Sequence, residues 1–249
     1  MTQPLHIGIV GCSAEGAALC YRTICAEGQA VLGAHVHPPV SMHTPSLADY
    51  VACLDASDLE GVASLMLDSA NRLAHAGADF LICPDNTIHQ AMHLVQSRSP
   101  LPWLHIAHVV ANEALRRGFR RLGLTGTRWL VQSDVYAKAC QSAGLECIRP
   151  PAEQRDRMGQ LIMDELVQGV FNAATVRFFQ SVIEDFKASG CDAVILGCTE
   201  IPLIIGEENS ALPTLDSTRL LARAAVRHAC GSAREARHGQ GLSRARTAA

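Results

Sequence analysis

The chain has 249 residues, 48% of them apolar and only 18% charged, which fits one large or two small packed domains and excludes a disordered chain. Aromatic residues make up 4% and the formal charge is −3, so the core must be built from Ala, Leu, Val and Ile. The strongly basic face of a nucleic-acid binder is missing. No stretch approaches the ~18 consecutive apolar residues of a membrane span, and Met1–Pro4 is too short and polar to open a signal peptide. The ten cysteines include no Cys-x-x-Cys pair, so the expectation is a cytoplasmic protein with reduced thiols.

Taken in chain order, short runs rich in Val, Ile and Leu alternate with helix-length stretches. His6–Val10, Ala30–His35, Phe80–Cys83, Trp103–Ile106, Arg121–Thr125, Leu145–Ile148 and Ala193–Gly197 read as buried strands. A helix opens at Ser57, with Glu60 three residues on as a capping box, and ends at Gly77. A second runs from about Asn172 to Gly190 and buries Val176, Phe179, Ile183 and Phe186. A third begins near Ser217 and ends near Gly231. Residues 231–249 carry Arg234, Arg237, Arg244 and Arg246 against Glu235, with no apolar period, and read as a mobile tail; the body without that +3 holds −6. Such alternation predicts an α/β fold with parallel sheets covered by helices on both faces.

The chain also echoes itself. Gly77–Thr87 resembles Gly190–Glu200 without a gap at an offset of 113 residues, and Ile7–Cys12 resembles Leu122–Thr127 at an offset of 115. Two echoes in the same order at nearly one offset point to a duplicated α/β unit. Ligands of parallel sheets sit outside the carboxyl ends of the strands. The first repeat puts Asp85, Asn86 and Thr87 there, the second Cys198, Thr199 and Glu200, and the offset makes Asp85 and Cys198 equivalent. Facing each other across a two-fold-related cleft, those two groups suit moving a proton on or off one carbon. Asp85 also reads as a helix cap, and Cys198 equally as an inert core thiol. His89 and His93 lie at i, i+4 without a third ligand, so no metal site is expected. The Gly8–Gly11 run lacks dinucleotide-fingerprint spacing.

Gly77–His89 resembles the first signature of the aspartate/glutamate racemase superfamily, and Leu196–Leu203 closely resembles the second. Leu122–Thr127, Asp164–Leu166 and Pro213–Thr218 fit in order, so the resemblance spans about Leu5 to Cys230. It implies two pseudo-symmetric α/β domains, residues 1–112 with 213–230 and residues 113–212, with the active site in the cleft between them and a homodimer as assembly. It implies cofactor-independent racemisation of an amino acid, in which two cysteines flank the α-carbon. Cys198 matches one of them. Asn86, Thr87, Thr127 and Thr199 match groups that hold the substrate carboxylate, and Ser13, Glu15 and Glu200 fall where the family contacts substrate. The family pattern has Cys immediately before Asn-Thr, where this chain has Asp85; Cys83, two residues early, falls on the strand and reads as structural. The expectation is therefore an isomerase that moves the α-proton between Cys198 and Asp85. The one-thiol alternative is a cofactor-free decarboxylase or cis–trans isomerase of a small dicarboxylic acid. Backbone N–H groups after Asp85 and Cys198 are expected to bind the enediolate and to favour the Cys198 thiolate.

Overall fold

The computed structural model describes the backbone of residues 3–245 and the side chains of residues 3–231. It contains two four-stranded sheets, all parallel. The first holds β1 (Ile7–Val10), β2 (Val40–His43), β3 (Phe80–Ile82) and β4 (Trp103–Leu104) in the order β2-β1-β3-β4. The second holds β5 (Arg121–Gly126), β6 (Glu146–Ile148), β7 (Ala193–Gly197) and β8 (Thr214–Asp216) in the order β6-β5-β7-β8. The two orders are the same, as the internal repeat requires.

The helices are α1 (Ala14–Leu32), α2 (Leu47–Asp55), α3 (Leu59–His75), α4 (Met92–Val95), α5 (Ile106–Arg116), α6 (Arg128–Gln132), α7 (Val135–Ser142), α8 (Ala152–Asp164), α9 (Ala173–Ala188) and α10 (Ser217–Ala245). The helix expected to end near Gly231 runs on as α10 to Ala245, so the tail's backbone is helical that far, while its side chains beyond Gly231 lie outside the described residues.

Strand alternation sorts the first core into two faces. Ile7, Ile9, Phe80 and Ile82 pack with Leu221, Ala225 and Val226 of α10 and with Cys20 and Ile24 of α1. Val10, Leu81 and Cys83 pack against Val62, Met66 and Leu73 of α3. In the second half, Leu122, Leu124, Val194 and Ile195 share a core with Phe179, Ile183 and Phe186 of α9, and with Val110 and Ala114 of α5. Each half thus lends its last helix to the other's sheet.

The repeated Gly-x-Asp has one structural job in both halves. Gly77 and Gly190 adopt φ +87° and +83° just past α3 and α9, a left-handed turn that favours glycine. Asp79 then accepts from the His6 backbone N–H at 2.6 Å, and Asp192 from Arg120 and Arg121 at 2.7 and 3.1 Å. Each aspartate fastens the start of the neighbouring central strand.

Three expectations need correction. Ala30–His35 is not a strand: α1 runs on to Leu32 with Val31 half exposed, and β2 lies ten residues later, after Pro38 and Pro39. The cap of α3 is Asp58, whose Oδ1 accepts from Gly61 N at 2.8 Å, rather than Ser57. The return to the first half comes at Ser217 rather than 213, because Thr214–Asp216 pair with β7; likewise the boundary at 112 falls inside α5.

Candidate active site

The central strands of both sheets point their carboxyl ends at one another. The β1–β3 register pairs Ile9 with Ile82, and Cys12 and Asp85 each follow three residues beyond those partners. The β5–β7 register ends at Gly126 and Gly197, and Thr127 and Cys198 each follow one residue beyond. These four residues line a single cavity, together with Ser13, Asn86 and Thr87 from the first half and Thr199 and Glu200 from the second. Its free volume of ≈ 40 Å³ exceeds the roughly 10–15 Å³ that one water needs, so side chains do not fill the space between the strand ends. Leu47, Val51, Leu54, Trp129, Ile162, Met163 and Val167 form an apolar wall.

Cys198 is buried at 6% exposure, and its Sγ donates to Glu200 Oε2 at 2.8 Å. The Thr199 hydroxyl donates to the same oxygen at 2.7 Å. Burial pushes the Cys198 thiol well above its ordinary value, and the Glu200 carboxylate adds to the rise. This reverses the expected bias toward thiolate. The backbone N–H of Glu200 does pull the other way, but desolvation of a fully buried sulfur outweighs one donor. Cys198 therefore rests as a thiol with an acceptor in place.

Asp85 Oδ1 accepts from Thr87 N at 3.1 Å, while the residue at the cap position of the turn that follows is Asn86. Burial, and then the Glu200 charge, raise its carboxyl from 3.8 to about 6. A group so placed exchanges a proton readily near neutral pH. The Thr87 and Ile88 N–H groups are already turned on Asp85, which removes them from the expected set of enediolate donors.

Hydroxyls line the cleft as well. Thr87 Oγ1 and Thr127 Oγ1 meet at 2.8 Å across the cleft, and Ser13 Oγ and Thr199 Oγ1 at 3.1 Å. Both pairs join one half of the chain to the other. Gly16 in the first turn of α1 permits the second contact, since a Cβ there would lie 2.3 Å from the Thr199 methyl. Asn86 is at the cavity, but its amide is committed elsewhere: Tyr136 Oη donates to Oδ1 at 2.6 Å, and Nδ2 donates to Ser217 Oγ at 2.9 Å. Glu15 is exposed and outside the cavity, because Ser13 caps α1 and leaves the second helical residue facing solvent. Cys83 is fully buried against α3 and does not line the cavity. His89 turns its Nδ1–H to the Asp85 carbonyl at 2.9 Å, while exposed His93 bonds Gln90 O. Among the described residues no group of three or more His, Cys, Asp or Glu is arranged to hold a metal ion.

The sequence reading passed over Cys12. It is 5% exposed and lies on the cavity wall with Asp85; burial, and then the Asp85 charge, raise its thiol. One signal pointed to it: it ends the second echo, opposite Thr127.

The comparisons with known proteins agree with this architecture. The model of the Asp/Glu/hydantoin racemase family matches residues 7–225. The chain belongs to the Asp/Glu/hydantoin racemase family. This racemase-family chain, an isomerase by family, is 27% identical over 169 residues to the broad specificity amino-acid racemase RacX of Bacillus subtilis; the match covers 68% of this chain and 73% of RacX. A Yersinia pestis structure described as a candidate Asp/Glu racemase superposes with a TM-score of 0.83 at 28% identity, covering 91% of this chain and 99% of its own. An aspartate racemase homologue from Pyrococcus horikoshii gives a TM-score of 0.78 at 27% identity, covering 92% and 100%. No helix among the described residues is long and apolar enough to cross a membrane.

Proposed function

We propose that this family member is a cofactor-independent racemase of amino acids with neutral, apolar side chains, in which the α-proton moves between the Cys198 face and the Asp85 face of the cleft. One observation carries this reading. The cavity holds two carboxyl groups, Asp85 and Glu200, and an apolar wall, and its lining includes no Arg, Lys or His. An α-ammonium group is welcome there, whereas a second carboxylate on the substrate meets like charge and hydrocarbon. The same argument sets a dicarboxylic acid, the substrate of the one-thiol alternative, in second place.

The carbon acid of an amino-acid carboxylate is very weak, so the enediolate formed when the proton leaves needs fixed donors in a dry site. Thr87, Thr127 and Ser13 supply them, each hydroxyl now paired with another and free to turn to a carboxylate oxygen, whereas Thr199 donates to Glu200. Glu200 receives the Cys198 proton when the thiol acts as a base. Assembly as a homodimer and a cytoplasmic location accompany the proposal as family expectations.

Proton NMR in deuterium oxide tests it. Separate incubations with the L and D forms of leucine, methionine, alanine and aspartate should show loss of the α-proton signal with inversion, faster for the neutral substrates. Silence with all of them, with decarboxylation of a malonate or isomerisation of a maleate, would move the chain to the one-thiol reading.

A further inference from the structure

The position equivalent to Cys198 holds a carboxyl, yet the cavity does contain a second sulfur on the opposite half. We infer that Cys12 is the second proton-transfer thiol, and that Asp85 acts through it by holding its proton rather than by touching the substrate. The inference deepens the racemase reading and rests on it.

The two sheets repeat one another, so their strand ends can be compared. The first half presents Cys12 after β1 and Asp85 after β3, and the second presents Thr127 after β5 and Cys198 after β7. Each half thus offers one sulfur and one oxygen group side by side, with the order of the two strands exchanged. Neighbouring strands lie roughly 4.8 Å apart. The exchange therefore moves the sulfur by about one strand spacing and leaves it on the wall of the same cavity. Each thiol then has a carboxyl on its own half of the chain: Cys198 donates to Glu200 at 2.8 Å, and Cys12 shares the cavity wall with Asp85. Cys83 offers no such function, since it faces α3. The remaining core cysteines are not on the cavity wall.

The proton account balances. In one direction Asp85 takes the Cys12 proton, and the resulting thiolate removes the α-proton as the C–H bond breaks. The electron pair passes into the substrate carboxylate as an enediolate. Cys198 then gives its S–H proton to the opposite face of the carbon, a new C–H bond forms, and the Cys198 side is left one proton short. The other enantiomer runs the sequence backwards and restores both sides.

The test is α-proton exchange and inversion in deuterium oxide by the full-length native protein and by Cys12→Ala, Cys12→Ser and Cys198→Ala, with the leucine, methionine and alanine enantiomers as probes. Native protein should exchange and invert both enantiomers. Each Cys12 variant should lose inversion by about 10²–10⁴-fold, the range for removing a general acid–base group. It should still exchange, without inversion, the one enantiomer whose proton faces Cys198, and Cys198→Ala should retain only the other. A merely structural cysteine would not give these mirror-image losses. Inversion at the native rate by Cys12→Ser or Cys12→Ala, or loss of the same enantiomer in the Cys12 and Cys198 variants, would overturn the assignment and leave the racemase reading standing. Native protein inert toward every probe would overturn that reading and this assignment with it. If Cys12→Ala fails to fold, Cys12→Ser keeps the packing and decides alone.

Discussion

Cys198 Sγ and Glu200 Oε2 are 2.8 Å apart, so a thiol on the wall of the cleft has its proton acceptor two residues along the same turn. The carboxylate works in two opposed ways. It raises the thiol by its charge and by the bond it accepts, and in the proposed reaction it takes up the departing proton.

Glu200→Gln separates the two effects. Removing the charge should lower the Cys198 pKa, so alkylation of Cys198 by iodoacetamide at pH 8, read by peptide mass spectrometry, becomes faster than in native protein. Turnover should fall by about 10-fold or more, because the acceptor is gone. Slower alkylation would show that Glu200 does not hold the thiol up.

Asp85 gives a pH signature in stability. Its carboxyl titrates at about 6 in the folded chain against an ordinary 3.8, so between pH 4 and 6 the folded state binds more protons than the unfolded one. Stability therefore falls as pH rises through that window, by at most about 3 kcal/mol, and the cost is fully present above it. Asp85→Asn removes the charge but keeps an acceptor for Thr87 N. In urea titrations the variant should be more stable than native protein by about 1–2 kcal/mol at pH 7.5, once lost hydrogen bonds are allowed for. The gain should vanish near pH 4. A variant less stable at pH 7.5 than at pH 4, relative to native protein, would contradict the raised pKa.

Val51 tests the side wall. It is half-buried and lines both the cavity at the strand ends and the outer cleft that holds Asp55 and Asp156. Val51→Arg brings a cation to the apolar wall with a stem long enough to keep its head solvated. The ratio of kcat/KM for aspartate over leucine should rise about 10-fold or more. An unchanged ratio would mean that the wall does not face the substrate side chain.

Gly16→Ala tests the seam between the halves. Its Cβ would lie 2.3 Å from the Thr199 methyl, with the Thr199 hydroxyl oxygen at 2.8 Å. The variant should lose about 1–3 kcal/mol in urea unfolding. It should also lose activity, because the displaced Thr199 donates to Glu200 and pairs with Ser13. Native stability and activity would show that α1 shifts freely.

Periodicity located the central strands β1, β3, β5 and β7 and the helices α3 and α9 closely, and the start but not the end of α10, because a strand buried on both faces is a run of Val, Ile and Leu that few other structures tolerate. It failed at Ala30–His35, where small apolar residues at the exposed end of α1 imitate a strand, and it did not pick out β2 or β8. The repeat made Asp85 and Cys198 equivalent, since offsets along a chain survive folding. Three features were not legible. Glu15 and Cys12 sit close in sequence on either side of the Ser13 cap, yet only Cys12 faces the cavity, and helix phase after a cap decides that. The Asn86 amide is consumed by Tyr136 and Ser217, 50 and 131 residues away. Burial, which only packing creates, turned Cys198 from an expected thiolate into a thiol. By itself the sequence determined the duplicated α/β architecture and the strand ends where chemistry sits, because both follow from local hydrophobic pattern and chain offset. Only the tertiary structure decided which side chains meet there and in what protonation state, because strand register, hydrogen-bond partners and desolvation are set by residues far apart in the chain.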